Sequence, residues 1–206
     1  MKKIFFISVL ILTAAVSLSA EKLSMIQGTY LNTSRNYDWG SFTTKENYSE
    51  AGITYTYFNG KGIGIYSSTT IALPFAYKAQ IDGREVTGVS IDAYDRFQIG
   101  IDMLIGPGFL VNLNPRFSIL AAGGLHFNGI ALISDNYMID PYLAYNLGPG
   151  LAINGLLNLT DHFNINLSYM MAWDRLEFVT MPELDSDVTA KGGLTFAISA
   201  GLGFKY

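Results

Sequence analysis

Residues 97–109 read FQIGIDMLIGPGF, and apolar residues occupy nearly every second position of this stretch. Alternation with a period of two predicts a β-strand that has one apolar face. That face begins and ends with an aromatic ring, at Phe97 and Phe109. About ten residues at ~3.3 Å each, tilted by ~40°, rise roughly 25 Å, which is the height of the apolar band around a transmembrane barrel.

Two more stretches repeat this pattern, FSILAAGGLHF at 117–127 and FNINLSYMMAW at 163–173. The opposite face of each strand carries small and polar residues with few charges. A soluble lipocalin-type barrel turns its apolar face inward and its polar face to water, where lysine and glutamate are common. The rings at both ends and the scarcity of charge favour the reverse orientation, with apolar side chains in lipid and small polar ones inside.

The alternation predicts eight strands joined by connections of alternating length. The strands are expected at about 22–32, 47–58, 63–74, 93–110, 116–127, 140–157, 162–173 and 191–206. Tight turns are expected at 59–62, 112–115 and 158–161, and long polar segments at 33–46, 75–92, 128–139 and 174–190. An even strand count with short and long connections on opposite rims predicts an all-β, eight-stranded antiparallel up-and-down transmembrane β-barrel over residues 21–206.

Composition excludes several other classes of protein. Half of the 206 residues are hydrophobic and 15% are charged, which argues against disorder, and no apolar run after residue 20 is long enough for a spanning helix. Asp and Glu number 17 against 13 Lys and Arg, so a nucleic-acid partner is not expected. The absence of cysteine excludes disulfides and thiolate metal sites.

The N-terminus has the layout of an export signal. A basic start at Lys2 and Lys3 is followed by the apolar stretch 4–16 and by small residues at 17–20. This pattern predicts a secretory signal peptide over residues 1–20, and a retained N-terminal anchor is the alternative.

The C-terminal stretch LTFAISAGLGFKY, residues 194–206, alternates up to a terminal aromatic residue. It resembles the C-terminal assembly signal of bacterial outer-membrane barrels. The resemblance implies that the barrel-assembly machinery reads Phe204 and Tyr206 and that the protein resides in the outer membrane, in contact with its lipid. The layout as a whole is similar to small barrels of the OmpW, OmpX and OmpA type, and a monomer is expected.

Two phrases also resemble a spirochaetal outer-membrane family of unassigned function, LIGPGF at 104–109 and SILAAGGLHF at 118–127. OmpW-type barrels are associated with the passage of small hydrophobic molecules through an apolar lumen. The lumen predicted here is mixed, with Asp102, Arg116 and Asn166 beside leucines, and this departs from that pattern.

Six polar or charged residues are predicted to line the lumen: Glu50, Asp102, Arg116, His126, Asn166 and Lys205. They form either internal ion pairs that plug the barrel or a narrow selectivity ring, and the plug is favoured because eight strands leave little open space. A histidine followed two positions later by a serine would resemble the lipid A deacylase motif. Here Asn128 stands in the position of that serine. The chain is therefore predicted not to be an enzyme, and neither a cofactor nor a metal is expected.

A short phrase occurs twice, as IGPGF at 105–109 and LGPGL at 147–151. Proline cannot donate a hydrogen bond to the strand ladder, so Pro107 and Pro149 predict bends in the wall. These bends either help a tight barrel to close or weaken the wall enough for lateral exit of a ligand.

Three functions remain open on sequence grounds. The first is passive permeation of a small solute, or a barrel that is too narrow or plugged to conduct. The second is a structural or adhesin-like barrel whose long loops contact an unknown extracellular partner. The third, and least favoured, is a lipid-modifying enzyme.

Overall fold

The computed structural model describes residues 21–38, 40–86, 97–135, 142–180 and 189–206. The predicted signal peptide, residues 1–20, lies outside the described residues. The strands are β1 (Lys22–Asp38), β2 (Thr43–Lys61), β3 (Ile63–Ile81), β4 (Arg84–Glu85), β5 (Phe97–Asn114), β6 (Phe117–Ile133), β7 (Tyr142–Asn158), β8 (Phe163–Asp174), β9 (Leu176–Thr180) and β10 (Thr189–Lys205). No helix in these ranges is long and apolar enough to cross a membrane.

The strands close into one antiparallel barrel. β1 pairs with β2 on one side and with β10 on the other, and the ladder continues from β2 through β3, β5, β6, β7 and β8 back to β10. β4 only extends β3 as a short hairpin, and β9 continues the course of β8 against β7. The ten strands therefore fill eight positions, which confirms the predicted fold class.

The strands are strongly tilted, as the register of their partners shows. Following paired residues from Thr29 through β10 and β8 leads to Asn154 of β7. Following them the other way, through β2, β3, β5 and β6, leads to Ala144 of the same strand. This ten-residue offset along β7 is the stagger that a closed eight-stranded barrel needs.

The outer face of the barrel is apolar and the interior is mixed, with polar and apolar side chains, as predicted. Ile53, Leu73 and Leu167 point outward with 64%, 63% and 62% of their surface exposed. Thr33 and Asn154 point inward and are fully buried. A water-soluble barrel would show the opposite arrangement, so the outer face is a surface for lipid.

Two aromatic girdles border this apolar surface. The loop-side girdle includes Tyr30, whose ring lies 6.2 Å from Phe75 and 6.3 Å from Phe196. On the turn side, Phe163 and Phe204 contact each other edge to face at 5.3 Å.

The strands reach further on the loop side than predicted, and the long segment predicted at 33–46 is wrong. β1 continues to Asp38 and β2 already begins at Thr43, with pairing from Asn32↔Ser49 to Asp38↔Thr43. Beyond the lipid the outward side chains are polar, so the hydrophobic alternation disappears although the ladder continues.

The other three long segments are also partly strand. β3 extends to Ile81 and β6 to Ile133, while β9 and β10 cover parts of 174–190. Other parts of these predicted loops, at 87–92, 136–139 and 181–188, lie outside the described residues, as do residues 93–96 and 140–141 of two predicted strands. The barrel wall thus projects beyond the membrane surface on the loop side. We call this projecting part, which includes residues 32–38 of β1 and 43–49 of β2, the loop-side extension.

Candidate functional site

The interior holds a charged cluster of six residues: Arg35, Glu50, Asp102, His126, Asn128 and Asp174. Each of them is at most 2% exposed. On β6, the buried residues on either side of the cluster are apolar. Ile130 and Leu132 lie on its loop side, and Leu120 and Ala122 lie on its turn side. The cluster is therefore enclosed between apolar side chains on both sides.

His126 is the centre of the cluster and bridges two strands. Its Nε2 atom lies 2.6 Å from Oδ2 of Asp102 on β5, and its Nδ1 atom lies 2.8 Å from Oδ1 of Asp174 on β8. An ionised carboxylate can only accept hydrogen bonds, so both ring nitrogens must donate. His126 consequently carries both ring protons and is an imidazolium between two carboxylates.

Hydrogen bonds extend this triad to other strands. Asn128 Nδ2 donates to Asp102 Oδ2 over 3.3 Å, and Arg35 Nη2 of β1 donates to Asn128 Oδ1 over 3.0 Å. On the other side, the Thr195 hydroxyl of β10 donates to Asp174 Oδ2 over 2.9 Å. The network joins β1, β5, β6, β8 and β10 across the lumen, and its charges largely compensate one another.

Glu50 of β2 belongs to the same level but is bonded differently. Its Oε2 atom is buried and has no hydrogen-bond partner among the described residues. The carboxylate occupies the space beside Gly100, where any Cβ atom would collide with it. Glycine at position 100 therefore provides the volume in which this buried acid fits.

A belt of hydroxyl and amide groups lines part of the lumen on the turn side of the cluster. Thr29 bonds Thr54 at 2.5 Å and Ser199 at 2.8 Å, and Thr54 bonds Thr70 at 2.7 Å. Gln27 continues the belt by donating to Asn166 Oδ1 over 2.7 Å. These hydrogen bonds connect side chains across the interior, although Asn166 Nδ2 is buried without a partner among the described residues.

The predicted lumen residues do not all come together. Glu50, Asp102 and His126 lie in the charged cluster, and Asn166 lies in the hydroxyl belt. Lys205 is half-buried at the turn-side mouth.

Arg116 requires a correction, because it is exposed in the turn between β5 and β6. Asn114 causes this: its Oδ1 atom accepts the backbone N–H groups of Arg116 and Phe117, each over 2.9 Å, so β6 begins one residue later than predicted.

The predicted set of lumen residues leaves out two central charges. Arg35 falls in the predicted long segment 33–46, although it is fully buried on β1. Asp174 continues the predicted inward face of Asn166 and Ser168 but also falls at the start of the predicted long segment 174–190, and the structure buries it on β8. Both residues can be assigned to the interior if the inward-outward alternation of each strand is continued beyond its apolar part.

Pro107 and Pro149 both lie on the outer face, at irregular points of the wall. Between β5 and β6 the paired residues run to Ile105↔Leu125 and resume at Gly108↔Ala122. Beside Pro149, β7 changes its partner from β8 to β9.

A cavity of about 600 Å³ opens at the turn-side mouth, where Asn158, His162 and Lys205 contribute to its wall. His162 is exposed there and its Nδ1 atom lies 3.2 Å from the carbonyl oxygen of Lys205. Within the described parts of the chain, no group of three or more His, Asp or Glu side chains is arranged to hold a metal ion.

The sequence matches no protein-family model and no curated protein sequence. Solved structures are similar in fold. Outer membrane protein OprG from Pseudomonas aeruginosa superposes with a TM-score of 0.58 at 11% identity, covering 91% of this chain and 96% of that chain. For outer membrane protein AlkL in lipid bilayers the TM-score is 0.56 at 9% identity, with 91% and 90% covered.

Neisserial surface protein A gives a TM-score of 0.51 at 9% identity, with 88% of this chain and 97% of that chain covered. The fold is thus that of small bacterial outer-membrane barrels. The lipid-facing outer surface agrees with this fold.

Proposed function

We propose that this protein is a closed barrel that conducts no solute and acts through its loop-side extension. The observation that carries the proposal is the filled interior. Large side chains with no exposed surface occur at every level of the lumen, including Phe58, Leu120 and Leu156 toward the turns and His126 and Arg35 toward the loops. An eight-stranded barrel is narrow enough for side chains to fill it completely.

The loop-side extension is the part that remains available to a partner. It rises beyond the aromatic girdle on paired strands, so its surface is held rigidly outside the lipid. Binding residues are often presented on loops and edges that a rigid scaffold positions. A structural or adhesin-like role therefore fits the geometry better than passive permeation does.

Planar-bilayer recording of the purified protein tests the closed interior. We expect no conductance steps above the baseline of the empty bilayer at neutral pH. Recovery of folded protein from the same membrane, seen as a band that shifts on boiling, is the control for insertion. Sustained channel events of the wild-type barrel would contradict the proposal and would favour passive permeation of a small solute.

Adhesion of liposomes that carry the protein tests the surface role. Replacement of residues 88–94 by a short Gly-Ser linker is expected to abolish attachment to cultured cells while the barrel stays folded. A matched linker in the turn-side connection at 159–162 should leave attachment unchanged. Attachment that survives the first replacement would argue against a role for residues 88–94.

A lateral opening is a second candidate function, favoured by the interrupted ladder beside Pro107 and Pro149. The paired change Pro107→Val and Pro149→Val should restore ladder hydrogen bonds and reduce the entry of N-phenyl-1-naphthylamine into intact cells. Pro115→Val, in an exposed turn, is the control. Unchanged dye entry in the paired variant would remove this candidate.

A further inference from the structure

The turn-side end of the lumen contains an amide that the barrel itself does not satisfy. Asn164 of β8 is fully buried, and among the described residues neither its Oδ1 nor its Nδ2 atom has a hydrogen-bond partner. An unpaired buried polar group costs free energy, so nearly all such groups in proteins bond to another residue, a water or a ligand. The Asn164 amide therefore points to a molecule with hydrogen-bonding groups at this position.

Asn164 lies directly behind the wall of the turn-side cavity. The ladder pairs it with Asn158 and with Gly203, His162 precedes it by two residues, and Lys205 lies two residues beyond Gly203. Asn158, His162 and Lys205 all line the cavity, whose volume of about 600 Å³ is typical of a small-molecule site. The buried amide thus forms the base of the cavity, and we call Asn164 with these three lining residues the turn-side cup.

Hydrogen bonds at the rim fix the orientation of three further amides in the cavity wall. Asn158 Nδ2 donates to Ser118 Oγ over 3.1 Å, and the Ser118 hydroxyl donates to Asn112 Oδ1 over 2.6 Å. Asn114 Oδ1 accepts two backbone N–H groups. Within the described ranges, Asn112 and Asn114 therefore keep Nδ2 donors without a partner, and Asn158 keeps an unpaired Oδ1 acceptor. The wall offers both kinds of hydrogen-bonding group.

The charged side chains of the cavity wall have both signs. Lys205 supplies one positive charge, whereas Glu21 and Asp161 supply two negative charges, so a strong anion such as phosphate is not favoured. Pro115 and Tyr206 add apolar surface. Donors and acceptors beside apolar surface, without an excess of positive charge, are complementary to a neutral sugar, whose hydroxyls donate and accept and whose ring carbons are apolar.

We propose that the turn-side cup binds a neutral saccharide through the Asn164 amide. Two adjacent hydroxyls of a sugar match one side-chain amide, because one donates to Oδ1 while its neighbour accepts from Nδ2. Lys205 is half-buried, and its flexible side chain moves aside when the sugar reaches the amide. The short turns of outer-membrane barrels face the periplasm, so the saccharide is either a free sugar of that compartment or a unit of the cell-wall glycan.

The cup lies at the rim opposite the loop-side extension, so its occupancy is independent of the surface role. Calorimetric titration of the full barrel, in a detergent without a sugar headgroup, measures binding of maltotriose and of the N-acetylglucosamine trimer. The wild type should bind at least one of them. Asn164→Leu should bind it about tenfold more weakly, as expected when hydrogen bonds to one amide are lost. The thermal midpoint of this variant should not fall, because an unpartnered amide is replaced by an apolar group of similar size.

Asn59→Leu is the matched control. Asn59 Oδ1 is also buried without a partner in the part of the chain that the structure describes, but this residue lies on the outer face of β2, between the inward residues Phe58 and Gly60. Saccharide binding should be unchanged in the control. A wild type that binds neither saccharide, which leaves water alone at the amide, would overturn the proposal, and so would equal affinities of the Asn164 variant and the wild type.

Co-sedimentation with isolated cell-wall sacculi distinguishes the two sources of the sugar. Sedimentation of the wild type, reduced about tenfold by Asn164→Leu, would support the proposal with the glycan polymer as the ligand. Binding of a soluble saccharide without sedimentation would support it with a free sugar as the ligand. Sedimentation that Asn164→Leu and Asn59→Leu reduce equally would contradict a role for the cup.

Discussion

His126 is held by two carboxylates in a space without water access, and this fixes the position of its ring. Both of its ring nitrogens donate, to Asp102 and to Asp174, and its exposed fraction is zero. Nothing in this geometry resembles a nucleophile paired with a base, because the partners are carboxylates. The prediction that the chain is not an enzyme stays a prediction, and the geometry assigns His126 a structural role.

Removing His126 should strongly destabilise the barrel. His126→Gln leaves two buried carboxylates without their cation, and breaking such a pair costs about 3–5 kcal/mol. The free energy of unfolding, measured by urea titration of tryptophan fluorescence in micelles, should fall by that amount. His162→Gln, at the exposed turn, provides the matched control and should leave the midpoint unchanged.

A second variant separates lost charge balance from lost packing. Adding Asp102→Asn and Asp174→Asn to His126→Gln removes all three charges together, so a large part of the stability should return. If the triple variant is as unstable as the single one, the charges of the triad do not explain its importance.

Gly100 and Glu50 form a coupled pair. A Cβ atom at position 100 would collide with the Glu50 carboxylate, so Gly100→Ala should cost about 1–3 kcal/mol through overpacking. In the Glu50→Ala background the same change should cost little, because the space is then free. A double-mutant cycle by urea unfolding measures this coupling, and purely additive effects would contradict the close packing.

The two ends of the strands lie in different surroundings. Their turn-side ends lie in the lipid and carry the second girdle, whereas the loop-side ends of β1, β2 and β3 project with polar outer faces. The ladder is the same in both parts, from Lys22↔Asn59 to Asp38↔Thr43. What changes along an element is therefore only the side chains that meet lipid or water.

The final strand is expected to act during assembly. On β10, Phe204 is half exposed to lipid and contacts Phe163, while the Tyr206 hydroxyl lies 2.9 Å from Ser24 Oγ. Phe204→Ala removes a lipid-facing ring but no interior contact. We expect this variant to show several-fold less folded barrel in cells, with nearly unchanged refolding of purified protein in detergent.

Fractionation of cells followed by gel electrophoresis without boiling measures the first quantity. Phe109→Ala, which removes another exposed ring from the same lipid-facing surface, serves as the control. Equal losses in the two variants would show that lipid contact, and not recognition of the last strand, explains the effect.

At the scale of the whole molecule, closure between β1 and β10 is the decisive contact. Once this seam forms, every strand has two neighbours and the backbone polar groups are satisfied within the lipid. Gly201 lies at the seam opposite Gln27, and a Cβ atom there would collide with the backbone of Ile26 and Gln27. Gly28 lies at the same seam, and its nearest neighbour would be 4.0 Å away.

This difference predicts that Gly201→Val prevents closure and that Gly28→Val does not. Folded barrels migrate differently from boiled ones in gels, so the fraction that shifts on boiling measures closure. Gly28→Val should retain the shift, whereas Gly201→Val should lose most of it. Equal shifts in both variants would show that the seam tolerates side chains at both positions.

The inward and outward sets of residues were predictable because the face of each strand that contacts lipid must carry apolar side chains. The row from Phe97 to Phe109 follows that rule along its whole length, and so do the rows that end at Phe127 and Trp173. Turns were also predictable from asparagine, glycine and proline, although β2 continues to Lys61, β5 continues to Asn114 and Arg116 lies in the turn. The rule fails beyond the lipid, where Asn32, Ser34 and Asn36 continue a strand without any apolar signal.

The sequence by itself determined the class of fold, the orientation of its faces and the membrane it suits, because each of these depends on side chains a few residues apart. Only the tertiary structure decided that Arg35, Asp102, His126 and Asp174 meet, since they come from four strands whose stagger is a property of the closed barrel. The same holds for the contact between Glu50 and Gly100. The local alternation determines whether a side chain points inward or outward, but the shear of the closed barrel determines which side chains it meets.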